Sequence, residues 1–193
     1  MKLTVLGLWH LGCVTAACCA ERFNVCALDF DPDTVEKLGR AVPPIHEPGL
    51  QDLLKSGLSR GTLNFTADPK LACADADILW VCYDTPVDED DRADVDFVLD
   101  QVRRCLWSLP AGAIVLISSQ LPAGTCAQLQ REYPQFSFAC SPENLRLGQA
   151  LDVCRRPERI GVGVRDDATR ARLEPLRGAC GYNCSFWSPE ASG

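Results

Sequence analysis

Short runs of apolar residues with no polar alternation, separated by amphipathic stretches, limit what this chain can fold into more than any other feature. Leu3-Thr4-Val5-Leu6, Asn24 to Leu28, Ile78 to Cys82 and Ala113 to Ile117 read as buried strands, and Leu63 to Thr66 as a small one. A strand that is apolar on both faces has to be covered on both faces, which is the situation of a parallel sheet between helical layers. The stretches between the runs carry helical spacing. Apolar residues recur at Leu11, Val14, Ala17 and Cys18, and again at Val95, Val98, Leu99, Val102, Cys105 and Leu106 behind a capping Asp94. Asp31-Pro32 offers an N-cap with a proline at the first helical position; Val35 and Leu38 supply the apolar face and Gly39 a stop. A breaker-rich loop, Pro43 to Leu50, precedes a short helix through Leu53 and Leu54. The pattern closes with a helix after Gly124, strands near Phe136 to Ala139 and Ile160 to Val164, a helix opened by Asp166 or Asp167, and a last strand from Asn183 to Trp187. The expectation is an α/β chain: a Rossmann-type, doubly wound, mainly parallel sheet with helices on both faces, residues 1–193 forming one domain.

Charge and cysteine usage narrow the function. A net charge of −7 supplies no basic face for a nucleic acid. It leaves phosphate ligands open, because helix N-terminal amides bind phosphate without Lys or Arg. The twelve cysteines sit largely in apolar runs such as Trp80-Val81-Cys82, where a thiol behaves as a small hydrophobe. No Cys-x-x-Cys pair occurs and only His10 and His46 could add imidazoles, so no metal site is expected. Reduced thiols point to a cytoplasmic compartment. Trp9-His10 interrupts the apolar N-terminal stretch, which therefore reads as strand, turn and helix rather than a secretory leader. No run reaches the roughly 18 apolar residues of a membrane span, so no membrane partner is expected.

Sheets of this kind bind ligands beyond the carboxyl ends of their strands. Gly7-Leu8-Trp9-His10-Leu11-Gly12 lies between the first strand and the first helix, at the place of the dinucleotide fingerprint G-x-G-x-x-G. Gly7 permits the tight turn and Gly12 close helix packing, while the helix N-terminus at His10 and Leu11 offers amides to a diphosphate. Trp9 stands where the pattern has its middle glycine, at the point of closest backbone approach, and an indole there is expected to crowd the ligand. Asp29 follows Gly12 by 17 positions at the end of the second strand and suits the adenosine ribose hydroxyls. An acid at that point favours NAD over NADP. Thr85, in Tyr83-Asp84-Thr85-Pro86, either contacts the cofactor or shapes a turn; Ser118 to Thr125 has the same position on the next strand. Glu143 either moves a proton or orders water, or else serves as a dipole-stabilised helix-start acid. The acidic run Asp88 to Asp96 reads as a solvated loop and helix cap rather than a calcium loop, since Arg92 occupies a ligand position. His46 reads as a loop residue. These residues alone leave open a binding module with a decayed cofactor site and an S-adenosylmethionine-dependent methyltransferase.

Together the segments resemble the UDP-glucose/GDP-mannose dehydrogenase family, in order along nearly the whole chain. Pro44-Ile45-His46-Glu47-Pro48-Gly49-Leu50 resembles its P-I-Y-E-P-G-L loop, and Asp84-Thr85-Pro86 its G-T-P turn. Leu121-Pro122-Ala123-Gly124-Thr125 resembles V-P-V-G-T, and Ser141-Pro142-Glu143-Asn144-Leu145-Arg146 resembles N-P-E-F-L-R. Pro157 to Gly163 resembles P-x-R-I-V-x-G. The resemblance implies oxidation of a nucleotide-sugar alcohol to the carboxylate with two NAD and water, UDP-glucose being the favoured substrate, in a cytoplasmic homodimer. It implies that Gly7, Gly12 and Asp29 hold NAD, that Thr85 contacts it, and that Thr125 and Glu143 flank the reacting carbon. Glu143, Asn144 and Leu145 would contact the substrate. His10 replaces a family Tyr beside the pyrophosphate, and Leu147 stands where many members have a second Glu. The family's central helix, its Lys, its catalytic Cys and its UDP-binding domain would lie beyond Gly193, so this chain alone is expected not to complete turnover.

Overall fold

In the computed structural model the described residues are 1–193 without Asp91, Glu143, Asn144, 157–159, 177–183 and 188–193; the side chains of Ile160 and of 184–187 are also left aside. The strands are β1 (Lys2–Leu6), β2 (Asn24–Leu28), β3 (Leu63–Thr66), β4 (Ile78–Val81), β5 (Ile114–Ile117), β6 (Ser137–Cys140), β7 (Ile160–Gly163) and β8 (Cys184–Trp187). The helices are α1 (His10–Cys19), α2 (Pro32–Gly39), α3 (Leu50–Arg60), α4 (Pro69–Cys73), α5 (Val95–Leu106), α6 (Thr125–Glu132), α7 (Ala150–Arg155) and α8 (Asp167–Leu173). The strands form one sheet in the order β3-β2-β1-β4-β5-β6-β7-β8. From β3 to β6 every pairing is parallel; β6 meets β7 antiparallel at Cys140 and Gly163, and β8 again runs parallel to β7. The sheet is thus mainly parallel and doubly wound, as the apolar runs predict.

Alternation along the strands divides the core. Ile78, Trp80, Ile114 and Leu116 face a cluster with Leu11, Val14, Leu38, Leu54, Leu151 and Leu173. Leu79, Val81, Val115 and Ile117 face a second cluster with Cys73, Val98, Val102 and Leu129. So α1, α2, α3, α7 and α8 cover one face, and α4, α5 and α6 the other. Nine of the ten residues of α1 are buried, from Leu11 to Cys19. The single stripe expected from its spacing is therefore too narrow: β1, β2, α3 and α7 all pack on this helix, and a helix enclosed on all sides needs small apolar residues all round. Its Ala and Cys content serves that end.

Local signals set the helix starts. The Asp31 carboxylate accepts the N–H groups of Asp33 and Thr34, Asp94 that of Phe97 and Asp166 that of Thr169, each satisfying a first-turn donor. The same device starts α4, where Asp68 accepts the Lys70 N–H ahead of Pro69; the sequence reading passes over that helix and over α7. α2 ends at Gly39, the expected stop, with Arg40 as its C-cap. In the acidic loop, Asp88 Oδ1 accepts the N–H groups of Asp90 and Arg92, which closes a turn ahead of the Asp94 cap. Among the described residues no helix is long and apolar enough to cross a membrane, and no group of three or more His, Cys, Asp or Glu could hold a metal ion.

Candidate functional site

The strand order reverses direction between β1 and β4, and a crevice opens there beyond the carboxyl ends of the strands. Its floor is the turn after β1. Gly7 has φ +90°, and its N–H donates to the Leu28 carbonyl at 3.0 Å. A Cβ on Gly7 would lie 2.7 Å from the Tyr83 ring and 2.9 Å from the Tyr83 nitrogen. A Cβ on Gly12 would lie 1.7 Å from the Gly7 carbonyl oxygen. Both glycines thus let α1 sit directly on the turn, which brings its amino end to the crevice.

That end is open. Trp9 is the N-cap of α1 and makes no side-chain capping bond, so the amides of the first turn lack the usual side-chain acceptor. The Trp9 side chain is not buried in the turn; the residue is 51% exposed. Asp29 stands at the rim with its carboxylate turned to the turn: Oδ2 accepts the Leu8 N–H at 2.7 Å and Oδ1 the Asp31 N–H at 3.0 Å. A carboxylate has about four lone-pair positions, so acceptor capacity remains for further donors.

The opposite wall comes from the loops after β4 and β5. A cavity of about 120 Å³ is lined by Leu11, Tyr83, Asp84, Thr85, Ser118, Ser119 and Gln120. Burial first, and then the nearby Asp29, push the Tyr83 hydroxyl upward, so it stays protonated. Its ring meets Phe97 edge-on at 5.5 Å. Burial raises the Asp84 carboxyl, opposed by the His10 imidazole close by. The Thr85 hydroxyl donates to the Gln120 carbonyl at 2.7 Å, tying the two loops together. Thr125, the first residue of α6, donates in the same way to Pro122. Both hydroxyls keep lone pairs to accept with. Ser118 accepts the buried Trp80 indole N–H at 2.9 Å. The Ser119 hydroxyl is buried and has no partner, a state that costs free energy until something pairs with it.

His10 reaches away from the crevice floor: its Nε2 lies 3.0 Å from Glu47 Oε2. Glu47 is 4% exposed and also accepts the N–H groups of Gly148 and Ala150, at 2.8 and 3.0 Å. Burial alone would push its carboxyl up, but these three donors outweigh it and hold the group below its ordinary range. The carboxylate thereby clasps α1, the loop before α3 and the segment entering α7. Sequence reasoning sees Glu47 only as part of a loop motif. The signal that marks it is a single acid among breakers, in Glu47-Pro48-Gly49.

The crevice brings together Gly7, Trp9, Leu11, Gly12, Asp29 and Thr85, with His10 at its edge. Leu145 is half-buried and packs against the first core cluster. Glu143 and Asn144 lie outside the described residues. A larger cavity of about 360 Å³ exists near the amino ends of β1, β2 and β3, lined by Lys2, Asn24, Thr62 and Asp75 among others. It lies away from the carboxyl ends, where helix N-termini point and ligands of such sheets bind.

Known proteins share this sequence pattern and fold. The model of the UDP-glucose/GDP-mannose dehydrogenase family, NAD binding domain, matches residues 1–177. The UDP-glucose 6-dehydrogenase of Pseudomonas aeruginosa is 35% identical over 187 residues, which cover 91% of this chain and 41% of that protein. That of Rhizobium meliloti is 33% identical over 180 residues, 89% of this chain and 41% of the relative. The chain therefore spans about 41% of the length of these curated relatives. Among solved structures, a UDP-glucose dehydrogenase from Pyrobaculum islandicum superposes with a TM-score of 0.89 at 31% identity, over 98% of this chain and 46% of the other. The GDP-mannose dehydrogenase of Pseudomonas aeruginosa shares the fold, with a TM-score of 0.87 at 24% identity over 97% of this chain and 46% of that one. Sequence, topology and crevice converge: the chain belongs to the UDP-glucose/GDP-mannose dehydrogenase family, by way of that family's NAD-binding domain.

Proposed function

We propose that the crevice between β1 and β4 holds NAD and that the protein oxidises a nucleotide sugar, UDP-glucose being the substrate. The residues fit the cofactor. The unfilled first turn of α1 presents amides and the positive end of the helix dipole to a diphosphate. Asp29 has spare acceptor capacity for the ribose hydroxyls, and its charge opposes the additional phosphate of NADP. The observation that carries the reading is this pairing: an uncapped helix start held against Gly7 by a Gly12 that leaves no room for a Cβ, and a rim carboxylate fixed 2.7 Å from the Leu8 amide.

NAD held by the first turn of α1 and by Asp29 would supply the hydride acceptor for oxidation of the sugar carbinol carbon. The chain's own groups bind and orient. Thr85 and the buried Ser119 hydroxyl line the cavity and orient what enters it. Thr125, at the start of α6, and Glu143 flank the reacting carbon, Glu143 taking a proton or ordering water. Asn144 and Leu145 contact the sugar nucleotide together with Glu143. The protein acts as a cytoplasmic homodimer.

Titration calorimetry with NAD, NADP and S-adenosylmethionine tests the cofactor assignment. Saturable heat with NAD, and none with S-adenosylmethionine, is the expected result. Binding of S-adenosylmethionine alone, or of none of the three, would overturn it.

A further inference from the structure

One carboxylate serves the starts of two helices. Glu47 Oε2 lies 3.0 Å from Nε2 of His10, the first residue of α1, and accepts the Gly148 N–H at 2.8 Å. Its Oε1 accepts the N–H of Ala150, the first residue of α7, at 3.0 Å. A carboxylate can only accept, so His10 Nε2 carries the proton in this contact.

Apolar contacts already join these elements. Leu50, Ala150 and Leu151 lie in the first core cluster with Leu11. Gly49 passes so near Leu151 that an added Cβ would lie 3.3 Å from its side chain. What Glu47 adds is direction, although its charge is buried to 4% exposure. It fixes where the His10 ring points and where the chain turns into α7, at a Gly148 with φ +85°. Gln149, the N-cap of α7, makes no side-chain capping bond, and Glu47 takes that place from 103 positions away from Ala150. Both arms reach into the proposed site. α1 opens with the amides assigned to the diphosphate, and the chain entering α7 carries Leu145, assigned to the sugar nucleotide. A single oxygen, Oε2, receives both the imidazole and the Gly148 N–H. A displacement of His10 therefore changes the acceptor that Gly148 shares.

We propose that Glu47 is a positioning residue that relays occupancy of the amino end of α1 to the segment before α7, through His10 on one side and Gly148 and Ala150 on the other. The relay rests on the cofactor reading above; the clasp that carries it does not. A diphosphate settled on the first turn of α1 holds the His10 backbone, and with it the ring and Glu47. The segment that meets the sugar is thereby ordered before the sugar arrives. Such coupling is reciprocal, so a nucleotide sugar that orders the segment tightens the hold on the cofactor.

Backbone amide NMR of the whole chain tests this in two arms. Without ligand, acidification is expected to move the Gly148 and Ala150 amide protons together, because both bond the same carboxylate. The step should fall below pH 4.5, the ordinary value of the carboxyl, and E47Q should abolish it. H10F keeps an aromatic ring but gives Glu47 no donor, so its step should come at higher pH. A step at the same pH in H10F, or none in the unaltered chain, would overturn the proposal. In the second arm, saturating NAD at neutral pH is expected to shift Gly148 and Ala150 along with Leu8 to Cys13. In H10F, Leu8 to Cys13 should still respond while Gly148 and Ala150 should not. A response at Gly148 and Ala150 that survives in H10F comes from the ligand directly and would overturn the relay. So would their silence in the unaltered chain while Leu8 to Cys13 move. If NAD moved none of these amides, the cofactor reading would fall and the relay with it; the ligand-free arm would still decide whether Glu47 joins the two segments.

Discussion

Gly12 is the residue with the least freedom in the site. Any side chain there meets the Gly7 carbonyl at 1.7 Å, a backbone atom that cannot rotate away. G12A is therefore expected to cost about 3 kcal/mol, at the upper end of overpacking penalties, read as a lowered denaturant midpoint. A midpoint equal to that of the unaltered chain would show that α1 can lift off the turn. Asp29 is read by binding: D29A removes a charged acceptor worth about 2 kcal/mol, so NAD affinity should fall roughly 30-fold and discrimination against NADP should shrink. Retained discrimination would place the ribose elsewhere. At this scale the spacing Gly7–Gly12–Asp29 was readable, because steric and charge demands at a strand end are local. Trp9 was only half readable. The missing glycine was plain, but that the residue would lie 51% exposed depends on packing that no local pattern records. W9G should tighten NAD binding by freeing the backbone at the point of closest approach; equal or weaker binding would show that the indole does not obstruct.

Among the elements, the Glu47 clasp makes the sharpest prediction. It receives three hydrogen bonds from residues 37, 101 and 103 positions away in sequence. E47Q should destabilise the chain by about 2 kcal/mol at pH 7, since bonds to a buried charged group are the strong ones. The sign with pH follows from the lowered carboxyl. Its contribution is complete above its ordinary value of 4.5 and is lost as pH falls through the lower folded value. The Tm gap between the chain and E47Q should therefore narrow below pH 4.5; a gap that stays constant from pH 7 to pH 3 would contradict the charged clasp. Nothing local marks partners so far apart, so the contact was invisible in the sequence. Helix starts were the reverse case, since Asp31, Asp94 and Asp166 announce themselves by residue type. Asp68-Pro69 carried the same signal as Asp31-Pro32, and α4 escaped notice because five residues show too little periodicity to support it. α7 is six residues long, with no side-chain cap, and offered no signal at all.

For the molecule as a whole, the sheet class was legible because both-sided burial writes itself into apolar runs such as Ile78 to Val81. The antiparallel step from β6 to β7 was not, since strand direction leaves no mark in four residues such as Ile160–Gly163. The choice between these two cavities, both lined by described residues, also belongs to this scale. The larger one, about 360 Å³, lies near the amino ends of β1 to β3, while the smaller, about 120 Å³, lies at the carboxyl ends of β4 and β5. Topology and the helix dipole favour the smaller. Backbone amide NMR during an NAD titration separates them directly. The account predicts that the largest shifts fall on the amides of Leu8 to Cys13, with Asp29 and Thr85 following. Shifts concentrated instead on Lys2, Asn24, Thr62 and Asp75 would contradict it.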